Sequence, residues 1–246
     1  MRQKLVFPAL LRMTIALACL HAGSVAFARA DTDAQWQRTP FLAVPAVSES
    51  PVIDGNVEKR EWLGAAQLGP MRVGRSGLTD SLQRDIFIAY DHENIYIAFQ
   101  FERPTGSPEP AMPAGTGRVE TGPGDRVEVL IAPDLDFDNA YSFWVFGNGA
   151  FGDATATRSK DKNWNAEWQR AARLTAKGWE GEIAVPFAAF GLSQPPEKNE
   201  TWGFDIVDNR RTPFLQLGHW SYRGNLWHAY ENFGRISFDP AATAVR

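Results

Sequence analysis

Apolar and polar residues alternate with a period of two through most of this chain, and this pattern limits what the chain can fold into. The clearest case is the pair of segments 84–91 and 95–102, and in the second of them Ile95, Ile97, Phe99 and Phe101 share one face. His92-Glu93-Asn94 between them has the composition of a turn, so the two segments predict a β-hairpin. Helical periodicity does not recur after residue 31. The chain is therefore predicted to be all-β.

Seven further segments show the same alternation, and the whole predicts an antiparallel, two-sheet β-sandwich of about nine to eleven strands. These segments are residues 126–132, 141–146, 167–175, 179–185, 202–207, 216–222 and 235–238. In segment 179–185 the apolar Ile183 and Val185 alternate with Glu180 and Glu182, which predicts one core face and one solvated face.

The connections are marked by glycine and proline. Residues 104–124 form a long Pro/Gly-rich loop, and a loop of that length is more often a binding rim than a plain connector. Residues 147–152 match G-x-G-x-x-G, but no helix follows, so a hairpin turn is predicted and not a dinucleotide site. Helix is expected only as single turns at residues 57–63 and 187–190.

The N-terminus has the features of a signal peptide. Arg2, Lys4 and Arg12 precede or interrupt an apolar stretch over residues 5–20, and a small-residue run ends at Ala30. Cleavage is predicted after Ala30, with the position after Ala28 as the alternative. No later segment approaches the roughly 18 apolar residues that span a membrane. We therefore expect a secreted or periplasmic protein.

Residues 31–246 are long enough to bury one sizeable core, so a single sandwich domain is predicted, with its core over about residues 42–239. The only cysteine, Cys19, lies in the signal segment. Leu17-Ala18-Cys19 is a weak lipoprotein-type alternative. If cleavage falls later, the mature chain has no cysteine, which excludes disulfides, thiolate metal sites and a cysteine nucleophile.

The net charge excludes two classes of partner. It is −4 for the whole chain and −8 without residues 1–30, which hold four basic and no acidic residues. An acidic chain with no basic run is a poor partner for nucleic acid or for an anionic membrane surface.

The sequence offers one candidate metal site and no catalytic constellation. Asp134, Asp136 and Asp138 have the spacing of calcium ligands, but glycine and glutamate are missing where an EF-hand needs them. A plain β-turn between the strands at 126–132 and 141–146 is predicted, and a weaker structural calcium ion is the alternative. No G-x-S-x-G occurs, and the histidines lack metal-ligand spacing, so the chain is predicted not to be an enzyme.

Several short motifs, in order, resemble family 9 carbohydrate-binding modules and their relatives. The first are Pro51-Val-Ile-Asp-Gly55, Glu61-Trp62, the segment Ala89–Phe99 and Gly124-Asp-Arg-Val-Glu-Val129. The later ones are Tyr141-Ser-Phe143, Gly178–Phe187, Trp202–Ile206, Trp220 and Asn232–Phe238. Each motif is weak alone, but their order covers nearly all of the mature chain.

The resemblance implies jelly-roll-like packing and a site in which two tryptophans clamp a terminal sugar. Trp227 matches one clamp residue, whereas residues 119–124 have no aromatic side chain where the other is expected. Glu128 matches a sugar-contacting glutamate. The arginine and asparagine of the next strand are replaced by Trp144 and Phe146.

The predicted site is therefore a groove with Trp227 on its rim and Trp144 and Phe146 as an aromatic floor. Glu128 lies in the same groove, with Arg210 or Arg211 nearby. Flat rings of this kind stack on the C–H faces of sugars, and two or so of the nine tryptophans are expected to do so. The alternative for Trp227 is that it merely covers the sandwich edge.

The resulting hypothesis is an exported, non-catalytic carbohydrate-binding protein that recognises a polysaccharide or a terminal sugar and takes part in carbohydrate catabolism. Two alternatives remain open. One is a haem-binding, DOMON-type electron-transfer domain of the same lineage, for which Met71 and Met112 are the methionines left after export. The other is a structural or partner-binding periplasmic sandwich.

Overall fold

The computed structural model describes residues 39–74, 76–120, 124–135, 137–155, 161, 163–211, 216–221 and 233–242. These residues belong to one compact unit, Trp36–Arg246. The predicted signal segment and Trp227 lie outside the described residues.

The described residues form thirteen strands in two sheets. They are β1 Phe41–Val44, β2 Ala66–Gln67, β3 Arg72–Val73, β4 Arg84–Tyr90, β5 Asn94–Glu102, β6 Arg126–Ala132, β7 Tyr141–Phe146, β8 Phe151–Thr155, β9 Gln169–Leu174, β10 Gly178–Pro186, β11 Thr201–Arg210, β12 Gln216–His219 and β13 Gly234–Phe238. An eight-stranded sheet has the order β1-β13-β11-β6-β7-β8, with β12 paired to β11 and to β3. A five-stranded sheet has the order β2-β4-β5-β10-β9. The predicted all-β sandwich is confirmed.

Strand pairing is antiparallel except between β1 and β13, which run parallel. All nine predicted strands are present, and β6 and β7 have the predicted bounds. β11 extends three residues beyond its predicted end. The sequence analysis missed β1, β2, β3 and β8, which are short, so the strand number is higher than predicted.

The core lies between the inner faces of the two sheets, where the apolar members of each alternation meet. Ile88 pairs with Ile97 in the β4–β5 hairpin, and Ile97 pairs with Ile183 of β10. From the opposite sheet, Trp202 packs edge-on against Phe238 at 4.9 Å between ring centroids. Aromatic rings at such angles add to the stabilisation that burial alone gives.

The outer face of the five-stranded sheet is covered, which corrects the prediction of a solvated face on β10. Val57 and Trp62, from the segment between β1 and β2, pack against this face. Glu180 and Glu182 point outwards as the alternation predicts, but they are only 5% and 0% exposed. Strand alternation fixes the direction of a side chain and not what covers it.

Helical structure in the described residues is limited to three 3-10 turns, at Pro133–Leu135, Phe137–Asn139 and Phe187–Phe190. The last of these was predicted. Within the segment 57–63, residues 59–63 form hydrogen-bonded backbone turns instead of a helix. None of the described helical segments has the length and hydropathy of a membrane span.

Candidate functional site

The candidate site is the outer face of the eight-stranded sheet, built around β6. Val127, Val129 and Ile131 point into the core, so Arg126 and Glu128 point outwards. Glu128 pairs with Trp144 of β7 on one side and with Val207 of β11 on the other. The outer face therefore brings together Glu128 and Trp144, as the sequence analysis predicted.

A row of hydrogen-bonded polar side chains crosses this face. The hydroxyl of Ser142 donates to Oε1 of Glu128 at 2.5 Å, and Nη2 of Arg126 lies 3.4 Å from Oε2. With its amide oriented so that the oxygen faces Arg126, Asn209 accepts from Nη1 at 3.1 Å. All four side chains are buried. We call Arg126, Glu128, Ser142 and Asn209 the polar row.

The polar row is electrically balanced, because one guanidinium faces one carboxylate. Its members come from three adjacent strands, so their spacing is set by the sheet itself. A site carried on strands holds its geometry more tightly than one carried on loops. The row fixes the direction of donors and acceptors on this face, and because its members are buried and bonded to one another, a polar ligand would have to replace contacts that the row already makes.

Trp144 and Phe146 lie on the predicted face but do not form an open aromatic floor, which corrects that prediction. They are 1% and 0% exposed and form a cluster with Ala150, Ala154 and Val119. The cover comes from the long loop predicted to be a rim. A Cβ on Gly124 would lie 2.6 Å from Phe146.

Arg210 and Arg211 differ in position. Arg210 points inwards, because it continues the alternation of Ile206 and Asp208. Its Nη2 lies 2.8 Å from Asp80 and its Nε 3.1 Å from Asp208. This corrects its assignment to the outer-face groove. Arg211 is exposed, and its backbone N–H donates to Asp125 at 2.6 Å.

Arg210 belongs to a buried ion-pair network with Asp80, Arg84 and Asp208. Arg84 lies 3.2 Å from Asp208 and 3.3 Å from Asp80. Burial raises the pKa of Asp208, although both arginines act against it. Burial also lowers the pKa of Arg84. The network joins the segment before β4 to the end of β11.

Of the predicted metal residues, Asp134 and Asp138 lie in the two 3-10 turns Pro133–Leu135 and Phe137–Asn139, which connect β6 and β7 in place of the predicted plain β-turn. Asp138 is exposed, whereas Asp136 and the side chain of Asp134 are outside the description. In the described part of the chain no three histidine, cysteine or carboxylate residues converge on a point. The calcium ion stays a prediction.

Trp227 lies outside the described residues, but the residues that flank its segment are described. The backbone N–H of Ser221 donates to Asp205 at 3.0 Å, and the same carboxylate lies 3.0 Å from Nδ1 of His219. Phe233 packs with Val207 on the outer face. Ser221 and Phe233, which flank this segment in the sequence, therefore both lie beside this face.

The sequence analysis missed Arg126, Ser142 and Asn209 as site residues, and also the pair Asp205 and His219. Arg126 could have been found from the sequence, because a residue two positions before Glu128 on the same strand must lie on the same face as Glu128. Asn209 and Ser142 required the pairing of β6 with its two neighbours, which one sequence does not reveal.

Nothing in the described residues favours the haem alternative. Met71 is fully buried in the core between the sheets. Met112 lies against Gly147, where a Cβ would come within 2.9 Å of its terminal carbon.

Comparison with known proteins places the fold. Two structures of a family 9 carbohydrate-binding module from Caldicellulosiruptor kristjanssonii, in complex with cellotriose and with glucose, match with TM-scores of 0.58 and 0.57. Each is 16% identical and covers 84% of this chain and 99% of its own. A candidate carbohydrate-binding protein from Bacteroides uniformis matches with a TM-score of 0.62 at 16% identity, covering 82% of this chain and 100% of its own.

No protein-family model and no curated protein matches the sequence. At 16% identity, the likeness shows the fold. The fold resemblance predicted from the ordered motifs is confirmed: the chain has a fold like that of the family 9 carbohydrate-binding modules.

Proposed function

We propose that this chain is an exported, non-catalytic carbohydrate-binding protein that recognises a polysaccharide or a terminal sugar through the outer face of its eight-stranded sheet. The observation that carries the proposal is the polar row, in which Arg126, Glu128 and Asn209 are held in fixed positions on three adjacent strands. The same face of the same fold carries the Glu128 position matched to a sugar contact by the resemblance.

The chemistry of the polar row suits sugar hydroxyls. A carboxylate accepts hydrogen bonds, a guanidinium donates them, and an amide does both. A pyranose presents adjacent hydroxyls that need both kinds of partner. Hydrogen bonds that involve one charged group are about twice as strong as neutral ones. A ligand that replaced the contact of Glu128 with Ser142 would keep the carboxylate fully satisfied.

Two further observations support the proposal. The similar module from Caldicellulosiruptor kristjanssonii is described with cellotriose and with glucose, which makes these two sugars the natural first probes. The basic and apolar features of residues 2–30 support export. An exported protein is delivered to the compartment in which polysaccharides are bound and degraded. A role in carbohydrate catabolism follows from that location and ligand.

A second candidate function is a structural or partner-binding sandwich. The burial of Trp144 and Phe146 favours it, because these rings have no face open to a sugar. In that case the polar row would stabilise the fold and bind nothing.

A glycan array followed by affinity gel electrophoresis separates the two candidates. We expect the purified mature protein to bind at least one glycan family on the array, and the matching soluble polysaccharide to retard it in the gel. Glu128→Gln should lower this affinity roughly tenfold or more, since it removes one charge-assisted contact. The exposed Glu197→Gln is the matched control. An array with no bound glycan would favour the structural candidate.

A further inference from the structure

An open cavity lies at the end of the sandwich, beside the turn between β9 and β10. Its volume is about 430 Å³, and it is lined by residues 102–110 on one side and by residues 174–178 on the other. A recess of about 180 Å³ adjoins it and shares Glu102, Thr175 and Lys177. We call the cavity and the recess together the end groove. Its volume is in the range of small-ligand sites.

Backbone hydrogen bonds hold both walls of the end groove. The N–H of Arg103 donates to the carbonyl of Lys177 at 2.9 Å and ties one wall to the other. Thr175 and Gly178 exchange backbone hydrogen bonds across the β9–β10 turn. Arg103 also contacts the carbonyl of Pro108 and lies 3.8 Å from Asp125. The groove is thus shaped by main-chain contacts, which a substitution of its exposed side chains would leave intact.

Three charged side chains in this groove have no partner within the described part of the chain. They are Glu102, Glu109 and Lys177, none of which makes a side-chain hydrogen bond or an ion pair there. Glu102 is partly buried, whereas Glu109 and Lys177 are exposed. In contrast, Glu180 beside the recess is paired with Arg173 and Gln100. These three residues therefore line the cavity without a side-chain partner among the described residues.

The signs of these charges indicate the class of ligand. An anionic ligand would meet Glu102 and Glu109, and a cationic ligand would meet Lys177. A neutral ligand with many hydroxyl groups can donate to both carboxylates and accept from the ammonium group. The lining is mainly polar, and Leu174 on the rim is 44% exposed and suits a C–H surface. These properties match a sugar better than an ion or an apolar molecule.

We infer that the end groove is a second sugar-binding site, independent of the polar row. The inference rests on the proposed function. The same long loop joins the two regions, because its first residues line the end groove and its later residues cover Phe146. Gly147 lies where the two regions meet, because a Cβ added to it would lie 2.9 Å from Cε of Met112 and 3.0 Å from Cδ2 of Leu174. One extended glycan chain can therefore be held at two places on one molecule.

Titration calorimetry with cellotriose, xylotriose and mannotriose tests the inference. For any trisaccharide of this panel that binds, the wild-type protein should take up two molecules per chain. The double variant Glu109→Gln/Lys177→Ala should take up one, with the affinity at the end groove lowered roughly tenfold or more. Glu128→Gln should retain the end-groove site. Lys59→Ala, an exposed lysine far along the chain from both sites, should behave as the wild type.

The possible outcomes separate the second site from the proposed function. One bound trisaccharide in the wild type, unaffected by the double variant but weakened by Glu128→Gln, overturns the end-groove site and leaves the proposed function standing. A panel in which no trisaccharide binds the wild type overturns the end-groove site, and the glycan array then decides the proposed function separately. Equal melting temperatures are expected for the wild type, Glu109→Gln/Lys177→Ala and Lys59→Ala, because these substituted side chains are exposed. The melting temperature of Glu128→Gln is measured alongside its affinity, because Glu128 is buried and hydrogen-bonded to Ser142.

Discussion

The indole Nε1 of Trp62 donates a hydrogen bond to Oε1 of Glu182 at 3.1 Å, although 120 residues separate the two in the chain. The other carboxylate oxygen accepts from the backbone N–H groups of Asp54, at 3.1 Å, and Gly55, at 2.9 Å. Three of the ordered sequence motifs thus meet at one buried carboxylate, which belongs to the motif Gly178–Phe187. Burial raises the pKa of Glu182, while the three N–H donors act in the opposite direction.

Glu182→Ala should lower the free energy of unfolding by about 3 kcal/mol, because it leaves three N–H donors without their acceptor. Urea denaturation measures this change. Glu61→Gln, beside Trp62 but with no side-chain hydrogen bond among the described residues, should change stability by less than about 0.5 kcal/mol. An equal effect of the two substitutions would show that the carboxylate is not an anchor.

Asp91 should make stability depend on acid pH. Burial alone would raise its pKa, but donors from Tyr96, Ser50 and the backbone of Glu93 and Asn94 outweigh burial and lower it. A lowered carboxyl pKa stabilises the fold above the ordinary aspartate value of about 3.9, and this gain is lost as the pH falls through the folded-state pKa.

The measurement is the melting temperature of the wild type and of Asp91→Asn between pH 7 and pH 3. The wild type should be more stable at pH 7, and the difference should shrink below about pH 4. Glu93→Gln, whose side chain is 70% exposed, serves as control and should show little change. A difference that is constant across the range would contradict the assigned pKa shift.

The nine predicted strands could be recognised because their alternation is local, whereas the missed strands lack a clear alternation or depend on distant partners. Phe41–Val44 has no polar partner in its pattern, and its parallel pairing with β13 joins distant parts of the chain. Phe151–Thr155 contains glycine and aspartate, which are rare in strands. Short strands of this kind form because neighbours supply hydrogen-bond partners, which one sequence does not reveal.

The site was predicted in part. The alternation along β6 and β7 correctly placed Glu128 and Trp144 on one face. It could not predict that the loop of residues 104–124 would cover Trp144. The same alternation along β11 would have placed Arg210 correctly, because Ile206, Asp208 and Arg210 occupy every second position and so point to the same side of the sheet. Side-chain direction is therefore a sequence property here, whereas exposure depends on long-range packing.

The cover over Trp144 can be tested at Gly152. A Cβ at this position would overlap the Trp144 ring and the carbonyl oxygen of Val119. Gly152→Ala should therefore destabilise the protein by about 1–3 kcal/mol, as overpacking of a filled site does. Gly117→Ala on the covering loop is the matched control, because no atom lies within 4 Å of its Cβ position. Equal stabilities would mean that the loop does not pack on Trp144.

The buried ion-pair network predicts strong coupling between Arg84 and Asp208, which lie 3.2 Å apart. Arg84→Met alone should cost about 3–5 kcal/mol, because it leaves a buried carboxylate with one partner fewer. Arg84→Met/Asp208→Leu should recover much of that loss, since Asp80 and Arg210 still pair at 2.8 Å. A double-mutant cycle measures the coupling, and additive effects would argue against a network.

Trp227 is predicted to contact the sugar, and its substitution separates binding from folding. It lies in the polar, glycine-containing stretch 223–232, and the flanking Ser221 and Phe233 are both anchored beside the outer face. Trp227→Ala should weaken sugar binding by about 1–3 kcal/mol, as loss of an aromatic anchor does, with little change in melting temperature.

Trp164→Ala gives the opposite expectation, which makes it a sharp control for Trp227→Ala. The ring of Trp164 packs at the edge of the core, with its centroid 5.0 Å from that of Tyr141 and 5.8 Å from that of Phe143. Loss of this ring should therefore lower the melting temperature. Sugar affinity of the folded fraction should stay unchanged. If Trp227→Ala instead unfolds the protein, or leaves a measured sugar affinity intact, Trp227 covers the sandwich edge and the sugar contact must be sought in the polar row alone.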